Sequence, residues 1–191
     1  MAQCYVIAAV GSVRLPACRA SLQLHDWDYT VFPAVAGTTV TTDCWTEIGI
    51  ALSPHGKMSR RPGAQGCWMS HYQLWLETIK RGKPTVILED DAMVTGPCPD
   101  LAQIEQHVIK LYTSAECKKH PVYGVWSKGA HAYALTPDHA EQLIAHAKQH
   151  GAQAVDKHLG TQVVPWRFYQ QDLVTLNPAR GPSTTSSTRY R

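Results

Sequence analysis

The chain has 191 residues, 44% of them apolar and 17% charged, with a net charge of +3. That balance fits one ordinary globular domain with a real core, and the chain is too long for a small disulfide-stapled scaffold. The charge is too mild to imply nucleic acid, and much of the excess falls on Arg180, Arg189 and Arg191, in a C-terminal stretch without acids.

Cys4 to Val10 is a short apolar run with no basic residue before it. It makes a poor signal peptide, is far too short to span a bilayer, and reads as a first core strand. No transmembrane segment is expected, and the protein reads as cytoplasmic. Cys4, Cys18, Cys44, Cys67, Cys98 and Cys117 form no Cys-x-x-Cys pair and no tight His/Cys cluster for zinc, so they read as reduced thiols.

After Gly11-Ser12, the pattern over Arg14–Leu24 predicts a helix, with Leu15, Cys18 and Leu22 on one face and Pro16 in its first turn. Tyr29–Val35 is the next strand. A β-α-β opening implies parallel pairing in an α/β sheet. The small residues Ala8 and Ala9, with Val10, leave room for a nucleotide to approach the backbone at the strand exit. The same small residues also suit plain packing of helix on sheet.

Thr42–Leu52 reads as a short helix. Ser53–Gly63 is a loop in which Lys57, Arg60 and Arg61 cluster. Those cations could cover a phosphate or acceptor group, or could simply be a solvated loop. A helix follows over Gln65–Arg81, then a buried strand over Thr85–Leu88. That strand ends in Glu89, Asp90 and Asp91, the chain's one run of three acids. Carboxylates at a strand's carboxyl end sit where α/β sheets bind ligands. Like charges packed together call for a cation, and hard oxygen donors suit Mg²⁺ or Mn²⁺.

Beyond a turn at Gly96–Pro99, Asp100 is placed to cap a helix to Tyr112 with Leu101, Ile104, Val108 and Leu111 on one face. Val122–Trp126 reads as a strand. Thr136-Pro137 starts a helix that stops at His150-Gly151. Gln162–Tyr169 is apolar and aromatic. Residues 1–176 form the expected domain, and 177–191 a tail rich in Ser, Thr and Arg.

Gly63, Gly66, Cys67, Ser70, His71 and Trp75, followed by Glu89-Asp90-Asp91, resemble in order and spacing the signature of glycosyltransferase family 25. That family includes lipooligosaccharide and collagen galactosyltransferases. Phe32-Pro-Ala34-Val-Ala-Gly37 resembles its entrance phrase, with Ala36 where the family usually has an acid, and either Arg14 or Arg19 matches its arginine. The stretch from Gly129 through His131 and Tyr133 to the Thr136 helix resembles its second block, and Val155-Asp156 an apolar-Asp phrase. Pro165, Gln170 and Ser183 match loosely. The chain is short between Asp91 and Gly129.

The resemblance implies a GT-A-type, Rossmann-like, mostly parallel sheet flanked by helices in a single domain. It implies an inverting transfer of a hexose from a UDP-sugar to a hydroxyl of a glycan or lipid-linked acceptor, as in lipopolysaccharide biosynthesis, in the cytoplasm or peripheral to the inner membrane. Asp91 and Glu89 would hold Mn²⁺ or Mg²⁺. Ala8, Ala9, Val10, Arg14, Ser70, His71, Asp90 and Asp91 would bind the nucleotide sugar, and His131 and Tyr133 would face the acceptor. Among the later carboxylates, Asp138 and Glu141 sit in a first helical turn, Asp172 has no firm family counterpart, and Asp156 is the expected general base. Two other readings stand beside this one. One is a transferase acting on a hydroxylated base in DNA, and the other is a catalytically silent nucleotide-sugar-binding protein.

Overall fold

Alternation along the central strands decides the architecture. In the computed structural model, which describes residues 3–53, 58–101, 104–113, 116–170 and 172–179, Cys4, Val6, Val86, Leu88, Ala132 and Ala134 join one buried cluster. Their neighbours Ile7, Ile87, Tyr133 and Leu135 join another. Side chains of successive strand residues point to opposite faces, so apolar residues at every position demand cover on both.

The strands are β1 (Gln3–Ala8), β2 (Tyr29–Pro33), β3 (Thr85–Glu89), β4 (Ala92–Val94), β5 (Val108–Lys110), β6 (Cys117–His120), β7 (Gly124–Ser127), β8 (Ala132–Leu135), β9 (Trp166–Phe168) and β10 (Val174–Leu176). The main sheet has the order β2-β1-β3-β8-β5-β9. β1 runs parallel to β2 and β3, β9 runs parallel to β5, and β8 is antiparallel to both its neighbours. β4 pairs with β10, and β6 with β7, as small antiparallel ribbons. The result is a mixed α/β domain whose central sheet is mostly parallel.

The helices are α1 (Leu15–Leu24), α2 (Thr42–Glu47), α3 (Pro62–Arg81), α4 (Pro137–His150) and α5 (Val155–His158). α1 covers one face through Cys18 and Leu22. α3 and α4 cover the other through Trp68, Leu74, Trp75, Ala140 and Leu143. Gly82 ends α3 in the left-handed conformation that glycine adopts without a Cβ penalty. Thr136 caps α4, with His139 completing a reciprocal box. No described helix is long and apolar enough to cross a membrane.

The helix expected over Asp100–Tyr112 gives way to one 3-10 turn at Ile104–Gln106 and then to β5. Val108 and Ile109 are β-branched and sit between two strands that offer pairing, so the sheet wins over the helical pattern. α2 is shorter than expected, stopping at Glu47 before Gly49 turns with φ +66°. Lys57 and residues 180–191, which carry Ser183 and the tail arginines, lie outside the described residues.

Gly66 has a packing reason. A Cβ there would stand 2.3 Å from the Val35 carbonyl oxygen and 2.7 Å from the Gly37 nitrogen. Only glycine lets α3 run this close to the exit of β2. Gly66→Ala is expected to force the two segments apart and cost about 1–3 kcal/mol, read as a fall in Tm with the circular dichroism of the folded state retained. An unchanged Tm would mean that the contact has no energetic weight.

Candidate functional site

The carboxyl ends of β1, β2 and β3 meet, with Ala8 beside Pro33 and Ile7 beside Glu89. Ala8 is buried and its carbonyl accepts the Ala34 N–H at 2.8 Å. Ala9 is exposed, and Val10 is 99% exposed, so the turn after β1 stands open to the crevice. β8 runs the other way and brings Gly129–His131 to the same edge, where the Glu89 N–H donates to the His131 carbonyl at 2.8 Å.

The three acids diverge. Asp90 turns to the loop after β1, accepting from Ser12 Oγ at 2.5 Å and pairing with Arg14 Nη2 at 2.7 Å. Asp91 meets Arg14 Nη1 at 3.7 Å, a longer ion pair. Arg14 thus answers the like-charge repulsion that the sequence implies, whereas Arg19 is exposed. Asp90 is committed to holding the β1–α1 turn.

Glu89, the last residue of β3, turns away from its neighbour Asp90, as alternation requires. Its Oε1 lies 3.4 Å from His71 Nε2 and 3.9 Å from Cys67 Sγ, both on α3. Burial works against the Glu89 charge, but His71, His131 and Arg14 outweigh it and hold the carboxyl below its ordinary range. Burial first, then the Glu89, Asp156 and Asp91 charges, push the Cys67 thiol well up. Glu89 is thus directed at α3.

Three further expectations change. Ser70 is fully buried, accepting from the Val35 N–H at 2.9 Å and donating to the Gly66 carbonyl at 2.8 Å. It staples α3 to the exit of β2 and does not reach a nucleotide. His71 is fully buried, with Nε2 facing Glu89 at 3.4 Å. Tyr133 is also fully buried and does not face an acceptor. Its hydroxyl lies 2.8 Å from His71 Nδ1 and accepts the Trp75 N–H at 2.9 Å.

Asp156 comes from α5. Its Oδ2 accepts the Gly129 N–H at 3.4 Å, while its Oδ1 is buried without a hydrogen-bond partner. Burial pushes its carboxyl above the ordinary range, opposed by the Gly129 N–H and the Lys110 charge. Its charge is felt at Cys67 and Tyr112. Gly129 has φ +90°, and a Cβ on it would stand 2.9 Å from His131 Nδ1. His131 is nearly buried, its ring tilted at 35° against Tyr112 with centroids 3.9 Å apart.

Sequence reasoning missed Lys110, Ser127 and Tyr112. Lys110 is fully buried in β5, donates to Ser127 Oγ at 2.7 Å and packs 4.4 Å over the Trp166 ring. Burial pulls its ammonium down to about 8, with Asp156 opposing. Arg60 is exposed and Arg61 half-buried at the start of α3, where Pro62 abuts Gly37.

A profile described as "Glycosyltransferase family 25 (LPS biosynthesis protein)" matches residues 1–123. The match ends before Gly129, so Asp156 lies beyond it. A Drosophila melanogaster "Glycosyltransferase 25 family member" is 33% identical over 66 residues, 31% of this chain and 11% of the relative. A Xenopus laevis "Procollagen galactosyltransferase 1-A" is 35% identical over 71 residues, 34% of this chain and 12% of the relative. The matched stretch thus spans only about a tenth of the length of these relatives. Among solved structures, the glycosyltransferase GlyE of Streptococcus pneumoniae TIGR4 aligns over 88% of this chain and 45% of its own, at 10% identity and a TM-score of 0.45.

Proposed function

The chain belongs to glycosyltransferase family 25, and we propose that it is a cytoplasmic, GT-A-type inverting enzyme that transfers a hexose from a UDP-sugar to a hydroxyl of a glycan or lipid-linked acceptor. One observation carries the reading. The acidic run of the family block closes β3 beside the open turn after β1, at the shared carboxyl edge of three parallel strands. Ligands of open α/β sheets bind in that crevice.

A divalent cation fits this edge through Asp91. Mg²⁺ and Mn²⁺ sites need one or two carboxylates, with substrate phosphates and water supplying the rest. Asp90 is held by Ser12 and Arg14, Glu89 faces α3, and Asp91 pairs with Arg14 at 3.7 Å. A cation bound there would stabilise the charge that develops on the leaving diphosphate. Arg14 orders the acids and adds a fixed positive charge beside them. Ala9 and Val10 offer the nucleoside an open backbone. Arg60 and Arg61 sit near the exit of β2, where they can close over phosphates. On the acceptor side, Asp156 takes the hydroxyl proton and His131 lines the approach.

Asp91→Asn is expected to abolish the Mn²⁺ dependence of UDP binding while Arg14 stays paired with Asp90 and the fold is kept. Titration calorimetry with UDP, with and without Mn²⁺, measures this. Unchanged metal dependence in the variant would remove Asp91 from the reading.

A further inference from the structure

We propose that Cys67, His71 and Glu89 form a separate site for a borderline-soft divalent cation of the Zn²⁺ class. Cys67 and His71 are four residues apart on α3, which puts both on one helix face, and Glu89 reaches that face from the end of β3. Their donor atoms all lie within 4.8 Å of one another. Nε2 to Oε1 is 3.4 Å and Sγ to Oε1 is 3.9 Å. Tetrahedral zinc, with bonds of about 2.0 Å to N and O and about 2.3 Å to S, spaces such donors by about 3.3–3.6 Å. The trio needs a closure of only a few tenths of an ångström on the measured sides. Among the described residues, it is the one group of three such side chains gathered this way.

The donor chemistry separates this site from the Asp91 position. One sulfur, one imidazole nitrogen and one carboxylate oxygen favour zinc-like ions over Mg²⁺ or Mn²⁺. An outer shell is present as well. His71 Nδ1 meets the Tyr133 hydroxyl at 2.8 Å, and the same oxygen accepts the Trp75 N–H at 2.9 Å. Such partners fix the ring and tautomer of a ligating histidine. Without the ion, Trp75 donates to Tyr133, Tyr133 donates to Nδ1, and Nε2–H faces Glu89. With it, the imidazole proton resides on Nδ1 and is donated to the second lone pair of the Tyr133 oxygen, which frees Nε2 for the metal. Cys67 changes from thiol to thiolate, so each ion bound releases one proton to solvent. His71 is fully buried while the Glu89 side chain is 29% exposed, so the fourth position opens toward the crevice, where water completes the tetrahedron.

The test uses the full chain with Cys44, Cys98 and Cys117 replaced by Ser to remove the other half-exposed or exposed thiols, and no sugar donor. Co²⁺ titration should give a thiolate-to-metal charge-transfer band that saturates at one equivalent. Zn²⁺ should displace it with release of one proton. Tyr133→Phe should weaken Zn²⁺ about 10–100-fold, Cys67→Ser should abolish the band, and Asp91→Asn should leave it intact. A Co²⁺ spectrum without thiolate character, or an unchanged Zn²⁺ affinity in Cys67→Ser, would overturn the proposal. The native-ligand spectrum decides the matter even if a variant fails to fold.

Discussion

Asp156→Asn is expected to lower turnover by about two to four orders of magnitude with donor binding nearly unchanged. The expectation rests on what surrounds the carboxylate. A general base at neutral pH works best when its proton affinity is raised toward the working range. Burial raises that of Asp156, while the Gly129 N–H and Lys110 keep the rise in check. Asn keeps the size and the oxygen that accepts from Gly129, but it cannot take a proton. It also removes a buried charge whose Oδ1 has no hydrogen-bond partner. The same variant should therefore gain stability, with Tm up by about 2–4 °C for each kcal/mol recovered. Falling activity and rising Tm together separate a catalytic carboxylate from a structural cap, whose loss would lower both. In the wild type, turnover should fall with acid at a pH above the ordinary aspartate range, because only the ionised form accepts the proton. Near-normal turnover in Asp156→Asn would eliminate it as the base.

The fold was legible where local signals agreed. The β1-α1-β2 opening, the α3 segment, the buried β3 and the Thr136-Pro137 start of α4 each combine an apolar pattern with a turn or cap residue, and each forms. Segment 100–112 failed because Ile104, Val108 and Leu111 satisfy a helical period as well as a strand, and only pairing with β8 and β9 decides between them. That error hid Lys110 and Tyr112. The short β4 and β10 carry too few residues for a pattern, since they exist only through each other.

At the site, the sequence indicated which residues gather but not the direction each one takes. Glu89, Asp90 and Asp91 looked like one cation-binding cluster, yet the backbone turns Glu89 toward α3 and gives Asp90 to Ser12 and Arg14. Ser70 and Gly66 stood in a family block, which invites a ligand role, but their oxygen and missing Cβ serve the contact with residues 35–37. Tyr133 was assigned to the acceptor side when its hydroxyl lies under His71. The absence of a Cys-x-x-Cys pair argued against zinc, although the four-residue spacing of Cys67 and His71 on a helix was itself a ligand signal.

Acid should destabilise the fold well above the pH at which carboxylates are lost. His158 is fully buried among the rings of Trp68, Trp75, Tyr123 and His146. Its Nε2 accepts the Gln153 N–H at 3.0 Å, so the proton of the neutral ring resides on Nδ1. Protonating Nε2 would set two N–H groups against each other and place a charge in an aromatic core. Burial, then the His146, Lys157 and His150 charges, pull its pKa to about 3. An unfolded histidine titrates near 6.5. The unfolded chain therefore binds the proton first, and the stability that His158 contributes is complete above about pH 6.5 and drains as pH falls toward 3. Each pH unit in that window removes about 1.4 kcal/mol, so about 2 kcal/mol is gone by pH 5. His146 and His139, lowered chiefly by burial, act in the same direction. Asp156 acts in the opposite direction, because its raised carboxyl takes a proton more readily in the folded state and stabilises it as pH falls. Glu89, held below its ordinary range, withdraws its contribution only in stronger acid, below the unfolded carboxylate pKa. Between pH 7.5 and 5 the histidines dominate, and Tm should drop by about 4–8 °C. His158→Gln keeps an acceptor for Gln153 but cannot be protonated. It should cost some stability at pH 7.5 through poorer packing and should flatten the pH dependence. Urea midpoints of both proteins at the two pH values measure this. An equal acid loss in His158→Gln would move the linkage to other groups.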